Sequence, residues 1–174
     1  MSRGRRAGTV DVALVNLHPT DLSELGDQMS TRPKLMALLN WIENSLREAA
    51  WAPLLVLGIH VMALRVFNTY ERFPYLDLPM HFFGGVVMAF FFHRVSINAS
   101  LLGITRPYHA VRHRLFVFTS TCMVALSWEF SEFVTGWYSA GKTREGLNDT
   151  IGDLLLGVIG CLFFIILAVR SRPT

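Results

Sequence analysis

Apolar residues in this chain gather into four blocks separated by polar stretches, at about 51–68, 77–95, 115–135 and 150–169. Each block is 18 to 21 residues long, the length a helix needs to cross ~30 Å of hydrocarbon. A helix also satisfies its own backbone hydrogen bonds in lipid, so the blocks are expected to be helical. The pattern predicts an all-α membrane protein with four transmembrane helices making up residues 50–174.

Ahead of the first block the period changes. Thr31-Arg32-Pro33 reads as a helix start, with a capping Thr and an early Pro. Leu35, Leu38, Leu39, Ile42 and Leu46 then recur at helical spacing, with Asn40, Glu43, Asn44 and Arg47 elsewhere on the wheel. Residues 31–49 are expected to form an amphipathic helix in the membrane interface, with Trp41 and Trp51 at headgroup depth. A plain cytosolic extension of the first span is the competing expectation. Pro53 favours a bend between the two helices. Residues 1–30 are mixed and polar apart from a short apolar run at 10–17, and are expected to be a flexible or partner-bound tail.

Composition agrees with the blocks: 52% of residues are hydrophobic and 13 are Phe, too apolar for an ordinary soluble domain. "RGRR" at 3–6 is not followed by an apolar stretch before Trp51, so the first span is expected to be an uncleaved anchor. Lysines and arginines fall on one side: Arg3, Arg5, Arg6, Arg32, Lys34 and Arg47 before the first span, Arg94, Arg106, Arg112 and Arg114 around the second connection, and Arg170 and Arg172 after the last span. The other side has Arg72, Lys142 and Arg144, with Arg65 near the end of span one. The positive-inside rule then places both termini in the cytoplasm. A net charge of +3 suits a face beside anionic lipid and calls for no nucleic acid. Cys122 and Cys161 lie in different spans without metal-type spacing and read as inert buried thiols.

Polar residues inside the spans carry the candidate chemistry. Span two begins with Asp77-x-x-x-His81, span three ends with Glu129-x-x-Glu132, and span four begins with Asp149-x-x-x-Asp153. Residues three or four apart share a helix face. With alternating span directions, the start of two, the end of three and the start of four lie on the same, outer membrane face. Asp77, His81, Glu129, Glu132, Asp149 and Asp153 are therefore expected to converge there. So many acids in one partly buried place must protonate, pair with cations or hold metal. Oxygen ligands with one imidazole suit a divalent ion such as Mg, Mn, Ca, Fe or Zn, and bundle helices build metal sites from such pairs.

A structural reading stands beside this one. Asp77, and Asn148 or Asp149, can serve as helix caps, acids near helix N-termini favour the dipole, and Arg65, Lys142 or Arg144 can neutralise the rest. That leaves His81, Glu129, Glu132 and Asp153 to a polar network. Gly84, Gly85, Gly157 and Gly160 allow close helix approach under either reading. His60, in span one, either reaches His81 or Glu129 or bonds a backbone carbonyl; a bis-histidine haem with His93 has no attachment motif behind it. His109 and His113 have i,i+4 metal spacing, yet sit among arginines where solvation is the bland reading.

Asp77-x-x-x-His81 followed by Gly84-Gly85, then Glu129-x-x-Glu132, then Asp149-x-x-x-Asp153 followed by Gly157 and Gly160, resembles the small bacterial inner-membrane proteins typified by YjdF. It is more remotely similar to the VanZ-like proteins. The resemblance covers about 73–164 and implies a multi-pass protein of the bacterial inner membrane, without implying a reaction. Two functional expectations follow. In one, the acidic cluster holds a divalent metal that acts on a lipid or envelope precursor, with Glu129 as ligand or general base. In the other, the chain is a non-catalytic subunit of a larger membrane complex, with Phe82, Phe83 and Phe90 to Phe92 meeting lipid or other membrane proteins. Whether the chain is an enzyme is left open by its sequence.

Overall fold

The computed structural model describes residues 19–67, 73–135 and 145–168. Those residues form five α-helices, one 3-10 turn at Pro74–Leu76 and no strand. The helices are α1 (Pro19–Ala49), α2 (Trp51–Arg65), α3 (Asp77–Leu101), α4 (Ala110–Thr135) and α5 (Glu145–Ala168). The chain divides into two compact units, 1–40 and 41–174, and the packing described below belongs to the second.

α3 and α5 form the most extensive helix pair, and α4 packs on both. Two glycines explain the closeness of α3 and α5. A Cβ at Gly85 would overlap the carbonyl of Gly157, and one at Gly160 would overlap the carbonyl of Phe82. His81 meets Asp153 and Gly85 meets Gly157, so partners advance together and the two helices run parallel. α4 runs the other way: His81 meets Glu129 while His93 meets His113. The fully buried centre is small, comprising Ala89, Val117 and Cys161, with Phe92, Phe118, Phe164 and Ile165 against it. Cys161 is buried, Cys122 is half-buried, and both are free thiols.

Outside this centre the helices present large apolar side chains, among them Phe83, Phe130, Phe133, Leu155, Ile166 and Leu167. A surface so apolar is stable where hydrocarbon surrounds it. α3 and the 148–168 part of α5 are long and apolar enough to cross a membrane. Lys34–Ala49 and Trp51–Ala63 together meet the same test as one span bent by 52°. By length and composition the described residues thus offer two or three crossings rather than a plain set of four. α2 has 15 residues, a length of about 22 Å, which is short for a crossing by itself. α4, at 26 residues, is long enough, but its hydroxyl residues, Glu129 and Glu132 lower its apolarity.

Helix boundaries correct several expectations. α1 is already helical from Pro19 and runs through Thr31 without a start there; residues 1–18 lie outside the described residues. Pro19 opens the helix, where its missing N–H costs nothing. The bend after Ala49 falls where Pro53 removes the donor that the Ala49 carbonyl would need. The docked face of this segment is Ser45 and Ala49, both buried, with the Trp41 indole donating to the Val95 carbonyl at 2.9 Å. The leucine face, including Leu35, Leu39 and Leu46, is exposed. Glu48 accepts from Arg94 Nε at 3.0 Å and from Asn98 at 3.2 Å, tying the end of α1 to α3.

Candidate metal centre

Each acidic pair is placed by the helix that carries it. Asp77 is the first residue of α3 and His81 lies one turn on, so both side chains face α5 and α4. Leu76, not Asp77, holds the cap position, and α5 begins at Glu145, so neither Asp77 nor Asn148 nor Asp149 is an N-cap. The capping account of these acids is therefore corrected.

His81 is the hub. Its Nε2 lies 3.6 Å from Asp77 Oδ1 and 3.7 Å from Asp153 Oδ2, and its Nδ1 lies 3.5 Å from Glu129 Oε1. These are ion-pair separations, longer than hydrogen bonds of 2.7–3.2 Å. Asp77, Glu129, Glu132 and Asp153 are each less than a tenth exposed. Two overlapping groups, Asp77–His81–Asp153 and His81–Glu129–Glu132, bring ligand atoms within 4.8 Å of one another. Two ligands 2.0–2.6 Å from one ion can be no more than about 4–5 Å apart, so the spacing suits a shared ion. Asp153 Oδ1 is buried with no hydrogen-bond partner among the described residues. Such an atom costs stability unless a proton or cation meets it.

Asp149 is not part of this group. It is exposed, one turn nearer the start of α5 than the contact with α3. The structure thus joins five of the six acidic and histidine positions and leaves out the sixth. Lys142, Arg144 and the side chain of Arg65, read from the sequence as neutralising cations, lie outside the described residues.

The other histidines sort differently. His60 is buried and packs edge-on against Trp128, with ring centroids 5.5 Å apart. His93 bonds His113 through Nδ1 and Nε2 at 2.8 Å, and His113 Nδ1 meets Ser96 Oγ at 2.8 Å. Both ring nitrogens of His113 are engaged there, which removes the His109–His113 metal pair, and His109 is exposed. The haem pairing of His60 with His93 also has no support, since each ring is committed to another partner. The His93–His113 contact went unread in the sequence, although the two residues lie equally far from Gly103, a turn residue with φ +69°. An antiparallel hairpin brings such positions opposite one another.

Beside His81 lies a cavity of about 280 Å³ bounded by α2, α3, α4 and α5. Gly84, Met88, Val124 and Trp128 contribute to its walls, and His60, His81 and Asp153 also reach it.

Residues 35–173 match a family described as "Predicted membrane protein (DUF2238)". The chain belongs to this family. It is also similar to an uncharacterized protein of Thermotoga maritima, 28% identical over 115 residues. That match covers 66% of this chain and 58% of the relative, so the chain spans less than two thirds of the relative's length. No solved structure matches.

Proposed function

We propose that this DUF2238 protein crosses the bacterial inner membrane four times, with both termini cytoplasmic, and holds a divalent cation at an outward-facing site centred on His81. The observation that carries this reading is the convergence of Asp77, His81, Glu129, Glu132 and Asp153 from three helices, with one Asp153 oxygen buried and unbonded. The four crossings and their direction rest on the arginine distribution and on the alternating course of α3, α4 and α5. The resemblance to YjdF-like proteins falls within the matched residues.

His81 Nε2 with Asp77 and Asp153 forms the ligand set best placed for an ion. Glu129, on the opposite ring nitrogen, then fixes the imidazole tautomer, as carboxylates behind metal-bound histidines do. Two carboxylate oxygens and one imidazole nitrogen suit Mg, Mn, Ca, Fe or Zn. Such an ion polarises an ester or phosphoryl oxygen and acidifies bound water. At the depth of the first turns below the outer surface, the reachable substrate is a lipid or an envelope precursor, with Glu129 or Glu132 taking the proton.

A second reading has its own observation. His81 lies at ion-pair distance from three carboxylates, so a protonated imidazole offsets part of their charge without metal, and the chain would serve as an accessory subunit. Elemental analysis of the detergent-purified full chain, without chelator, separates the two. The cation reading expects near-stoichiometric metal that is lost in Asp77→Asn and Asp153→Asn. The network reading expects no metal and a higher melting temperature in those variants, because each removes one excess buried charge.

A further inference from the structure

We propose that the cavity beside His81 holds one alkyl chain of a phospholipid, whose phosphate is held by the cation at Asp77, His81 and Asp153. The headgroup half of this proposal rests on the cation reading above. The chain half rests on the cavity alone.

The cavity has the two-ended character of an amphiphile. Along α3 its lining extends from Met80 to Met88, roughly 12 Å at ~1.5 Å per residue. Leu57, Met88, Val124 and Ala125 make apolar wall, while His60, His81 and Asp153 bring the polar groups. At about 280 Å³ it sits near the lower bound of ligand pockets, about 300 Å³, which suits part of one chain rather than a whole lipid. The space is open at Gly84: a Cβ there would meet nothing within 4 Å. On the α2 side, Leu54 and Leu57 line the cavity and are 63% and 41% exposed. That wall gives onto the apolar surroundings of a membrane protein, so a lipid chain can enter without crossing water.

Charge selects the head. Asp77 and Asp153 just balance a divalent ion, and with His81 they fill only part of its coordination, which leaves positions on the ion for a phosphate oxygen. A phosphate with little else attached meets that requirement better than one masked by choline. The polar groups of the cavity and the ligands of the ion share His81 and Asp153, so one molecule can satisfy both ends.

Trp128 lies on the cavity wall and serves as the reporter. The probe is the full chain carrying Trp41→Phe, Trp51→Phe and Trp137→Phe, in phosphatidylcholine vesicles. Brominated-chain phosphatidic acid is compared with brominated-chain phosphatidylcholine as quencher. The expected result is stronger quenching by phosphatidic acid, and a roughly tenfold weaker apparent affinity, equivalent to ~1.4 kcal/mol, in Gly84→Leu, which fills the space. Met88→Phe is a second filling variant, and circular dichroism confirms that both fold. EDTA is expected to abolish the preference for phosphatidic acid, and Mn(II) to restore it, while the effect of Gly84→Leu persists throughout.

The failures are distinguishable. Quenching equal for both lipids and unchanged by either filling variant, in metal-loaded protein, overturns the chain pocket and leaves the cation reading intact. Quenching sensitive to Gly84→Leu but indifferent to headgroup and to EDTA overturns the phosphate half and counts against the cation reading. No quenching by either lipid, with the protein dimeric by light scattering, assigns the cavity to a second copy and overturns the whole proposal.

Discussion

Gly85 and Gly160 are positions where one methyl group would be felt across two helices. Each faces backbone, which cannot rotate away as a side chain can. Gly85→Ala and Gly160→Ala are therefore expected to force α3 and α5 apart and lower stability by about 1–3 kcal/mol. Gly84→Ala, facing open space, and Gly157→Ala, whose Cβ would lie 3.6 Å from Ala125 Cβ, should cost far less. Melting temperatures of the four single variants in one detergent check this; equal losses at Gly84 and Gly85 would contradict the packing described. The sequence marks all four glycines alike, because composition does not say which face of a helix meets a neighbour. The acidic positions were more legible. Asp77 with His81 and Glu129 with Glu132 declare a shared face by spacing alone, and span direction brings their ends together. Asp149 shows the limit of spacing: it shares a face with Asp153, yet it is exposed one turn nearer the start of α5.

At the scale of the element, α1 shows where propensity gives way to context. Thr31 and Pro33 carry the signals of a helix start, yet the helix is already under way there, while the break Pro53 announces is observed near Ala50. The leucine stripe, expected in the membrane interface, is exposed and leaves a different side of the helix for docking. The docked side is instead Trp41, Ser45 and Ala49, because small residues allow close approach and the indole finds a carbonyl on α3. Polar contacts at the end of α1 give this docking a pH dependence. Hydrogen bonds from Arg94 and Asn98 hold the Glu48 carboxyl below its ordinary value of 4.5. A carboxyl lowered by folding contributes stability above its unfolded value and loses it as pH falls through the folded one. Contact between α1 and α3 should therefore be unaffected at neutral pH and weaken below about 4.5. With Trp41 as the sole tryptophan, its emission should shift to the red in that acid range. Arg94→Gln should produce part of the shift at pH 7, by less than about 1 kcal/mol because the pair is exposed. An Arg94→Gln protein whose Trp41 emission matches the parent at every pH would show that the ion pair does not hold the helix.

For the molecule as a whole, the arrangement of α3, α4 and α5 makes a prediction about sidedness that the span count does not settle. α3 and α5 run parallel with α4 between them in direction, so Asp77, Glu132 and Asp153 lie at one end and His93, His113 and Arg106 at the other. The arginines collect at the second end, which the positive-inside rule assigns to the cytoplasm. In the proposed orientation the cluster would face outward, within reach of a headgroup-level substrate rather than of cytoplasmic nucleotides and metabolites. Cysteine labelling tests this in intact cells, after Cys122→Ala and Cys161→Ala remove the native thiols. Asp149→Cys, exposed at the acidic end, should react with a membrane-impermeant maleimide, whereas Arg106→Cys should react only once the cells are opened. Asp149 suits this purpose because it stands apart from the five buried residues, so changing it leaves the proposed ligands in place. The reverse pattern would put the acidic cluster in the cytoplasm. It would leave the geometry around His81 unchanged but replace an envelope lipid with an inner-leaflet one as the reachable substrate. Reaction of both cysteines in intact cells would contradict the arrangement itself, because α4, packed antiparallel along α3 and α5, places Arg106 and Asp149 at opposite ends of the bundle.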